Sequence, residues 1–509
     1  MAKIQRRKNT IAGTATGLLL QFFNLLVPLF IRSVFIKYIG VEFAGLDSLF
    51  KSVLQVLNLA ELGVGSALVF SMYKPIVEDD DEEICALLKL YKVYYRIIGT
   101  VIFVIGVALT PILKYIIKGA IPSSLNLYVL YYLNLSATVL SYWIFAYKSS
   151  ILVAYQRTDI INIVTFGVSI IKYLFQIYAI IIWKDYYLYL VFNLFFQLVI
   201  NCVIAFVTSK RYPKYLPCGN ISKAKKKEIN KKVRDLFTAK LGGVIVNSAD
   251  SIVISAFFGL VPLTIYNNYY YILSAVNGVI AVFYNALKAG IANELIVDSK
   301  EKKNNDFNII TFICFWIISI CAPCFLNIYQ PFVSLWVGEE LLMSEFSVYL
   351  FVIYFVVFQI PMVWLVYKDA AGVWRQDRFR PLIGALTNLI INVFLVQIIG
   401  INGILISTIV SYVFVSIPWL LVNIRKYVIE YNKRAYYSRL LKYLSVVVFV
   451  CLLSKIVCSS ISFIGIPSII VYFLISACIG FMGFLIVFIR SDEIKSIISM
   501  MKNLLREVH

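Results

Sequence analysis

Apolar runs of about 20 residues recur along the whole chain, and this single feature excludes most folds. A helix of about 20 residues crosses the roughly 30 Å hydrocarbon core of a bilayer. Within lipid, only helices and closed barrels satisfy their own backbone hydrogen bonds. The alternating segments of about ten residues that mark a barrel are absent. The expected fold is therefore an all-α polytopic membrane protein. Composition agrees: 61% of the 509 residues are hydrophobic and only 15% are charged, against about a quarter in soluble domains. The first run, from about Ile11, follows MAKIQRRKNT. It is too long for a cleaved signal peptide and no A-x-A site follows it, so it reads as the first span.

Apolar runs and turn signals define fourteen candidate helices: 11–36, 43–72, 91–113, 124–153, 159–182, 187–208, 238–258, 264–287, 307–333, 345–367, 379–398, 403–424, 440–460 and 466–489. With the N-terminus placed inside, 37 of the 47 Lys and Arg residues fall in inside segments and five in outside loops. That asymmetry obeys the positive-inside rule, and it predicts an even number of spans with both termini in the cytoplasm. It also accounts for the net charge of +20 without nucleic acid as a partner. The basic run SKAKKKEINKKVRD (222–235) reads as a cytoplasmic connector beside anionic lipid. EDDDEE (78–83) reads as a solvated loop on the same side.

The connector divides the first twelve helices into six and six. KYIGVEFAGLDSLFKSVL (37–54) aligns with AFFGLVPLTIYNNYYYIL (256–273) at an offset of 219, pairing Gly40 with Gly259. QRTDIINIV (156–164) aligns with WRQDRFRPLI (374–383) at 218, pairing Arg157 with Arg375 and Asp159 with Asp377. The halves share an orientation, as in parallel-repeat transporters whose substrate site lies between them. The predicted plan is a first lobe over 1–208 (helices 1–6), a basic connector over 209–237 and a second lobe over 238–424 (helices 7–12). Helices 13 and 14 with a cytoplasmic tail follow over 425–509.

Several spans carry polar stripes at intervals of three and four, which place them on one helical face. Helix 1 carries Thr14, Gly17, Gln21, Asn24, Pro28 and Arg32. Helix 2 carries Asp47, Lys51, Gln55 and Asn58, with Glu61 next. Helix 4 carries Asn134, Thr138, Ser141 and Lys148, and helix 5 carries Thr158, Asn162, Thr165, Ser169, Lys172 and Gln176. Helix 7 carries Asn247, Asp250 and Ser251; helix 8 carries Asn267, Tyr271, Ser274, Asn285 and Lys288. Hydrogen-bonded helix packing accounts for the Ser, Thr and Asn positions. It accounts less well for charges, each of which costs about 2.5–3.5 kcal/mol at a bilayer centre. The first half places four cations on stripes, Arg32, Lys51, Lys148 and Lys172, and the second half one deep anion, Asp250. A cationic cavity wall suits an anionic substrate.

Catalysis by histidine is not expected, because the only histidine is His509. Every outer loop is short, and no segment can fold into a nucleotide-sugar domain, which speaks against an enzyme such as a polysaccharide polymerase or glycosyltransferase. The C-x-x-C of Cys321 and Cys324 lies inside a span and reads as small hydrophobes.

NSADSIVISAFFGLVPLTIYNNYYYI (247–272) resembles the seventh and eighth helices of the Wzx-type polysaccharide exporters of the MOP (MATE-like) superfamily. The matching positions are Asn247, Asp250, Ile252 to Ile254, Gly259, Tyr266, Asn268 and Tyr269. LAELGVGSAL (59–68) is similar to the family's second-helix ending. The resemblance implies a flippase that moves undecaprenyl-pyrophosphate-linked oligosaccharide to the outer leaflet of the cytoplasmic membrane by alternating access of two lobes. It implies a capsule, O-antigen or exopolysaccharide pathway, in company with a polysaccharide polymerase and a chain-length regulator. Arg32, Lys51, Lys148 and Lys172 would neutralise the pyrophosphate or acidic sugars, and Asp250, Glu61 and Asp47 would serve gating or coupling to H+ or Na+. Gln21, Asn24, Gln55, Asn58, Asn162, Asn247, Asn268, Tyr271 and Asn285 would offer hydrogen bonds and stacking to sugar. No cofactor is expected. A lipid II flippase and a MATE-type drug antiporter are the alternatives within the superfamily.

Overall fold

The computed structural model describes residues 6–119, 125–461 and 465–499. His509 and the ends of the chain lie outside the described residues, as does the side chain of Asn247. Among the described residues the chain is helical without strands. Thirteen helices among the described residues are long and apolar enough to cross a membrane, and a helix pair bent by 45° at Trp143–Ala146 makes a fourteenth if it is counted as one span. Large apolar side chains such as Phe206, Ile390 and Phe414 point outward around these helices, as a lipid-facing surface requires. The chain is a multi-pass membrane protein.

Contacts divide the chain into two compact units, residues 1–264 and 265–509. The first unit holds α1 (Arg6–Tyr38), α2 (Val41–Leu57), α3 (Val64–Glu78), α4 (Asp81–Leu109), α5 (Leu127–Trp143), α6 (Ser149–Ala154), α7 (Thr158–Tyr178), α8 (Tyr186–Arg211) and α9 (Lys223–Phe258). There α1 packs on α7, α5 packs on α4 and α8, and α9 packs on α2 and α3. The second unit begins within α10 (Leu260–Val297). It continues through α11 (Lys300–Val337), α12 (Glu345–Gln359), α13 (Met362–Ala370), α14 (Arg380–Ile399) and α15 (Asn402–Ser411), then α16 (Ile417–Tyr427), α17 (Lys433–Ser459) and α18 (Ile466–Phe488). Its centre is α11, against which α12, α17 and α18 pack.

Local chemistry sets the helix ends. Asp80, Asn126, Asp185, Ser222, Ser299, Ser344 and Asn432 each accept a backbone N–H of the helix they precede, the role short polar side chains fill at N-caps. Gly40 and Gly259, the residues paired by the offset of 219, have φ of +126° and +91°. Each closes one helix and opens the next with backbone that a side chain disfavours.

The structure differs from the sequence reading in three local features. The second span is not one helix. It breaks after α2 into a 3-10 turn over Asn58–Glu61, and Gly63 at φ +88° starts α3. The fourth span also breaks, with Phe145 in a left-handed conformation. The Asn201 amide on α8 donates to the Ser141 and Ile144 carbonyls at 2.9 and 3.0 Å. Those are carbonyls a broken helix leaves open, and lipid cannot satisfy them. The acidic run 78–83 is not a free loop either. It caps α4 and docks the basic connector, with Asp81 pairing Lys214 at 2.7 Å and Glu83 pairing Lys225.

In the second unit, small and polar residues join three helices. Pro323 in α11 lacks the N–H that would bond the Ser319 carbonyl. Gly480 of α18 lies so close that a Cβ there would sit 2.1 Å from that oxygen. The Asn327 amide lies within 3.1 Å of Ser454 on α17 and 3.0 Å of Ser476 on α18. Contacts of this kind replace the hydrophobic driving force that is absent between helices in lipid.

Candidate functional site

The stripe on α2 builds the centre of the candidate site. Asp47 and Lys51 are one turn apart, and their charged groups meet at 2.7 Å. The Asp47 carboxylate is buried and also accepts from Tyr186 Oη of α8 at 3.4 Å. Two-thirds (66%) of the Lys51 side chain is open. An i,i+4 pair of this exposure stabilises a helix by only about 0.3–0.5 kcal/mol. The arrangement therefore holds the ammonium in place while most of the side chain stays open. Arg32 crosses from α1, donating to Ser48 Oγ and the Thr264 carbonyl, both at 3.4 Å. Lys51 lies within electrostatic reach of Arg32 and of Lys172 on α7.

Lys51 opens onto a cleft of about 330 Å³. Gln55 and Asn58 continue the α2 wall; Asn134, Thr138, Ser141 and Tyr142 form the α5 wall; Asn193 and Gln197 of α8 complete it. The α5 polar groups spend their donors on their own helix: Asn134 on Leu130, Thr138 on Asn134 and Ser141 on Thr138. These three residues line the cleft together with Gln55 and Gln197. Within the cleft lining, Tyr142 Oη donates to Asn58 at 3.3 Å; beyond it, Tyr95 Oη donates to Glu61 at 3.2 Å and receives a bond from Tyr91 Oη at 3.0 Å. One ammonium on an open side chain, in a wall of amides, hydroxyls and a phenol, is chemistry for an anion that carries many hydroxyls.

The remaining predicted residues are distributed more widely. Lys172 is half-buried, with its ammonium 4.5 Å from the Tyr173 ring centre. Lys148 is buried at the α5–α6 break and donates to Ser209 at 2.9 Å. It does not line the cleft. Asn162 bridges α7 to α1 through Gly13 O and Thr16 Oγ1, at 3.3 and 3.2 Å. Gln21 and Asn24 are exposed on α1. Asp250 is buried on α9, as are Ser248, Ser251 and Ser255 of the same helix, which packs against α2 and α3. Asn268 is buried, Tyr271 half-buried and Asn285 exposed, all on α10 in the second unit.

Sequence reasoning missed two groups. Asn193 and Gln197 were passed over, although Asn193, Gln197 and Asn201 recur every four residues along α8. The second is a charge network in the second unit. Lys288 pairs with Asp369 at 2.8 Å, and Lys368 meets Asp369 at 2.8 Å and Asp377 at 3.3 Å. Arg380 clamps Asp377 through two bonds of 2.8 and 3.0 Å. In the first unit Arg157 clamps Asp159 the same way, both bonds at 2.9 Å. The guanidinium that serves Asp377 is thus Arg380 rather than Arg375, which is exposed. Arg157, just before the span Thr158–Trp183, is held above its ordinary range by the Asp159 carboxylate.

No protein-family model matches the chain, and no curated protein does. Solved structures do. The lipid II flippase MurJ in an inward closed conformation matches with a TM-score of 0.65 at 12% identity, over 92% of this chain and 98% of that one. A multidrug resistance MATE family transporter of the MOP superfamily, in an inward-facing conformation, matches with a TM-score of 0.59 at 14% identity, over 78% and 93%. A MOP superfamily transporter from Pyrococcus furiosus, described by the reverse polarity of its binding pocket, matches with a TM-score of 0.53 at 13% identity, over 81% and 92%. The chain shares the fold of these transporters. At such identity the likeness is one of fold, and on this fold the polar cleft of the first unit is the feature that calls for a function.

Proposed function

We propose that this protein is a MOP-superfamily flippase that carries an undecaprenyl-pyrophosphate-linked oligosaccharide from the inner to the outer leaflet of the cytoplasmic membrane. The observation that carries the reading is Lys51, whose side chain is 66% open, in a cleft of amides and hydroxyls. The ammonium, with Arg32 and Lys172 nearby, meets the phosphate charge. Gln55, Asn58, Asn134, Asn193 and Gln197 meet the sugar hydroxyls, and Tyr142 offers a ring face. The two lobes of the sequence repeat, 1–208 and 238–424, are the bodies that alternate in this reading. Asp250, Glu61 and Asp47 bias that change or couple it to H+ or Na+. A polymerase and a chain-length regulator are the partners downstream.

A lipid II flippase is the second reading, favoured by the near-complete overlap of the two chains. A drug antiporter for organic cations fits less well, because the open charged side chain of the cleft is a cation. The test is export in a strain deleted for the gene. Lys172→Ala and Asp250→Ala should each abolish polysaccharide export while the protein remains in the membrane. Full restoration by both variants would remove these two residues from the site. Viability of a strain lacking the gene and its whole glycan pathway separates a capsule-type flippase, which is dispensable there, from a lipid II flippase, which is not.

A further inference from the structure

The second unit holds a cavity of about 710 Å³ where α16 ends, α17 begins and α11 starts. Lys300 lines it from α11, Arg425 and Lys426 from the last turn of α16, and Lys433 from the first turn of α17. Its one carboxylate, Glu430, is already paired with Lys300. Among the described residues, Arg425, Lys426 and Lys433 form no ion pair with any carboxylate. Like charges gathered this closely repel one another, so packing alone gives no reason for the cluster.

The rest of the cavity is of a different character. Its floor is Tyr431, whose hydroxyl donates to the Leu421 carbonyl at 3.2 Å and whose ring lies 4.5 Å from that of Tyr436. Tyr436 is fixed in turn by Trp364, which donates to its hydroxyl at 2.8 Å. Leu421, exposed Val422 and exposed Tyr437 form an apolar wall. That wall runs along two spans, Asn402–Tyr427 and Lys433–Ser459. A soluble anion would use only the cations. A phospholipid would use both parts, with its phosphate at the rim and its acyl chains along the spans.

We infer that this cavity binds the phosphate headgroup of an anionic phospholipid, in the leaflet on the lysine-rich side. Basic pockets between spans on that side suit such headgroups. The site lies in the other unit from the Lys51 cleft and is independent of the transported substrate. Its failure and that of the flippase reading are therefore separate results.

The test uses the full chain in nanodiscs of phosphatidylcholine with a minor share of phosphatidylglycerol, and native mass spectrometry to count the phosphatidylglycerol retained. The double variant R425Q/K433Q should lose retention on the order of tenfold, from two basic residues each worth several-fold. K495Q, which alters an exposed pair elsewhere, should match wild type. Added inorganic phosphate and glycerol phosphate should not displace the lipid. Displacement by either at the concentration that phosphatidylglycerol needs would overturn the lipid assignment in favour of a soluble anion. K426Q alone, at an exposed position, covers the case of a misfolded double variant and should lower retention by several-fold. Wild-type retention in K426Q and in a folded R425Q/K433Q overturns the proposal.

Discussion

Replacing Asp377 by alanine should destabilise the protein more than any exposed ion-pair change. The residue is 3% exposed and accepts from Arg380, Lys368 and Asn423. The Arg380 and Lys368 side chains are themselves only 11% and 10% exposed. Their charges would remain behind when the carboxylate is gone. Breaking a buried pair from one side costs about 3–5 kcal/mol, mostly because the surviving charge is unpaired. Lys368 keeps Asp369 at 2.8 Å, so the lower end, about 3 kcal/mol, applies. At roughly 2–4 °C per kcal/mol for a unit of this size, melting should fall by about 6–12 °C. Melting in detergent, followed by size-exclusion chromatography of heated samples, measures this. D492A, which breaks an exposed pair, is the control and should shift melting by less than about 2 °C. D377A/R380A should recover part of the loss, with a coupling of about 1–3 kcal/mol. A D377A protein that melts with wild type, or a double variant whose losses simply add, would refute the argument.

Other perturbations test other parts of the structure. G480A should lower stability by about 1–3 kcal/mol, because its new Cβ meets the Ser319 carbonyl and must push α18 off α11; a neutral result in a melting assay would show that the helices are not held this closely. D81N should speed tryptic cleavage of the connector severalfold by releasing Lys214. The Lys214 ammonium is held above its ordinary pKa by its bond to Asp81. The same bond holds the Asp81 carboxyl below its ordinary range, so the latch is complete between the ordinary carboxylate range and about pH 10, and is lost as pH rises through the lysine pKa or falls through that of Asp81. The ratio of D81N to wild-type cleavage should stay constant from about pH 6 to 9, and a ratio that collapses within that range would count against the latch. N201A should destabilise by about 1–3 kcal/mol by leaving the Ser141 and Ile144 carbonyls unsatisfied, which the same melting assay reads.

The spans were legible because burial in lipid imposes one rule, a long apolar helix, wherever it applies. Thr158–Trp183 and Tyr186–Arg211 match the predicted runs 159–182 and 187–208 within a few residues. The break at Phe145 was hidden because it lies in apolar sequence and depends on a partner from another helix, whereas the one at Asn58–Gly63 carries Asn58, Glu61 and Gly63 within an otherwise continuous apolar run. Asn201 repairs one of them from a span about 60 residues away. At the site, the stripe of Lys51, Gln55 and Asn58 was readable from spacing alone. Which stripes meet was not: Asn162 on α7 has the same periodicity and bonds to α1. Lys148 shows a second limit, since a cation near a helix end reads the same from sequence whether it opens to a cleft or donates to Ser209. The repeat aligned Asp377 with Asp159, but not the guanidinium that each carboxylate receives: Asp159 is clamped by Arg157 before it, and Asp377 by Arg380 after it.

The most direct test of a cationic, sugar-compatible cleft is flipping of undecaprenyl-pyrophosphate-linked oligosaccharide by the purified protein in proteoliposomes, comparing wild type with K51Q and K51R. A lost charge-assisted contact of about 1.5–3 kcal/mol lowers the flipping rate at limiting substrate by roughly 10- to 100-fold. K51Q should show that loss and K51R should retain most of the activity. K51Q flipping at the wild-type rate would contradict the account.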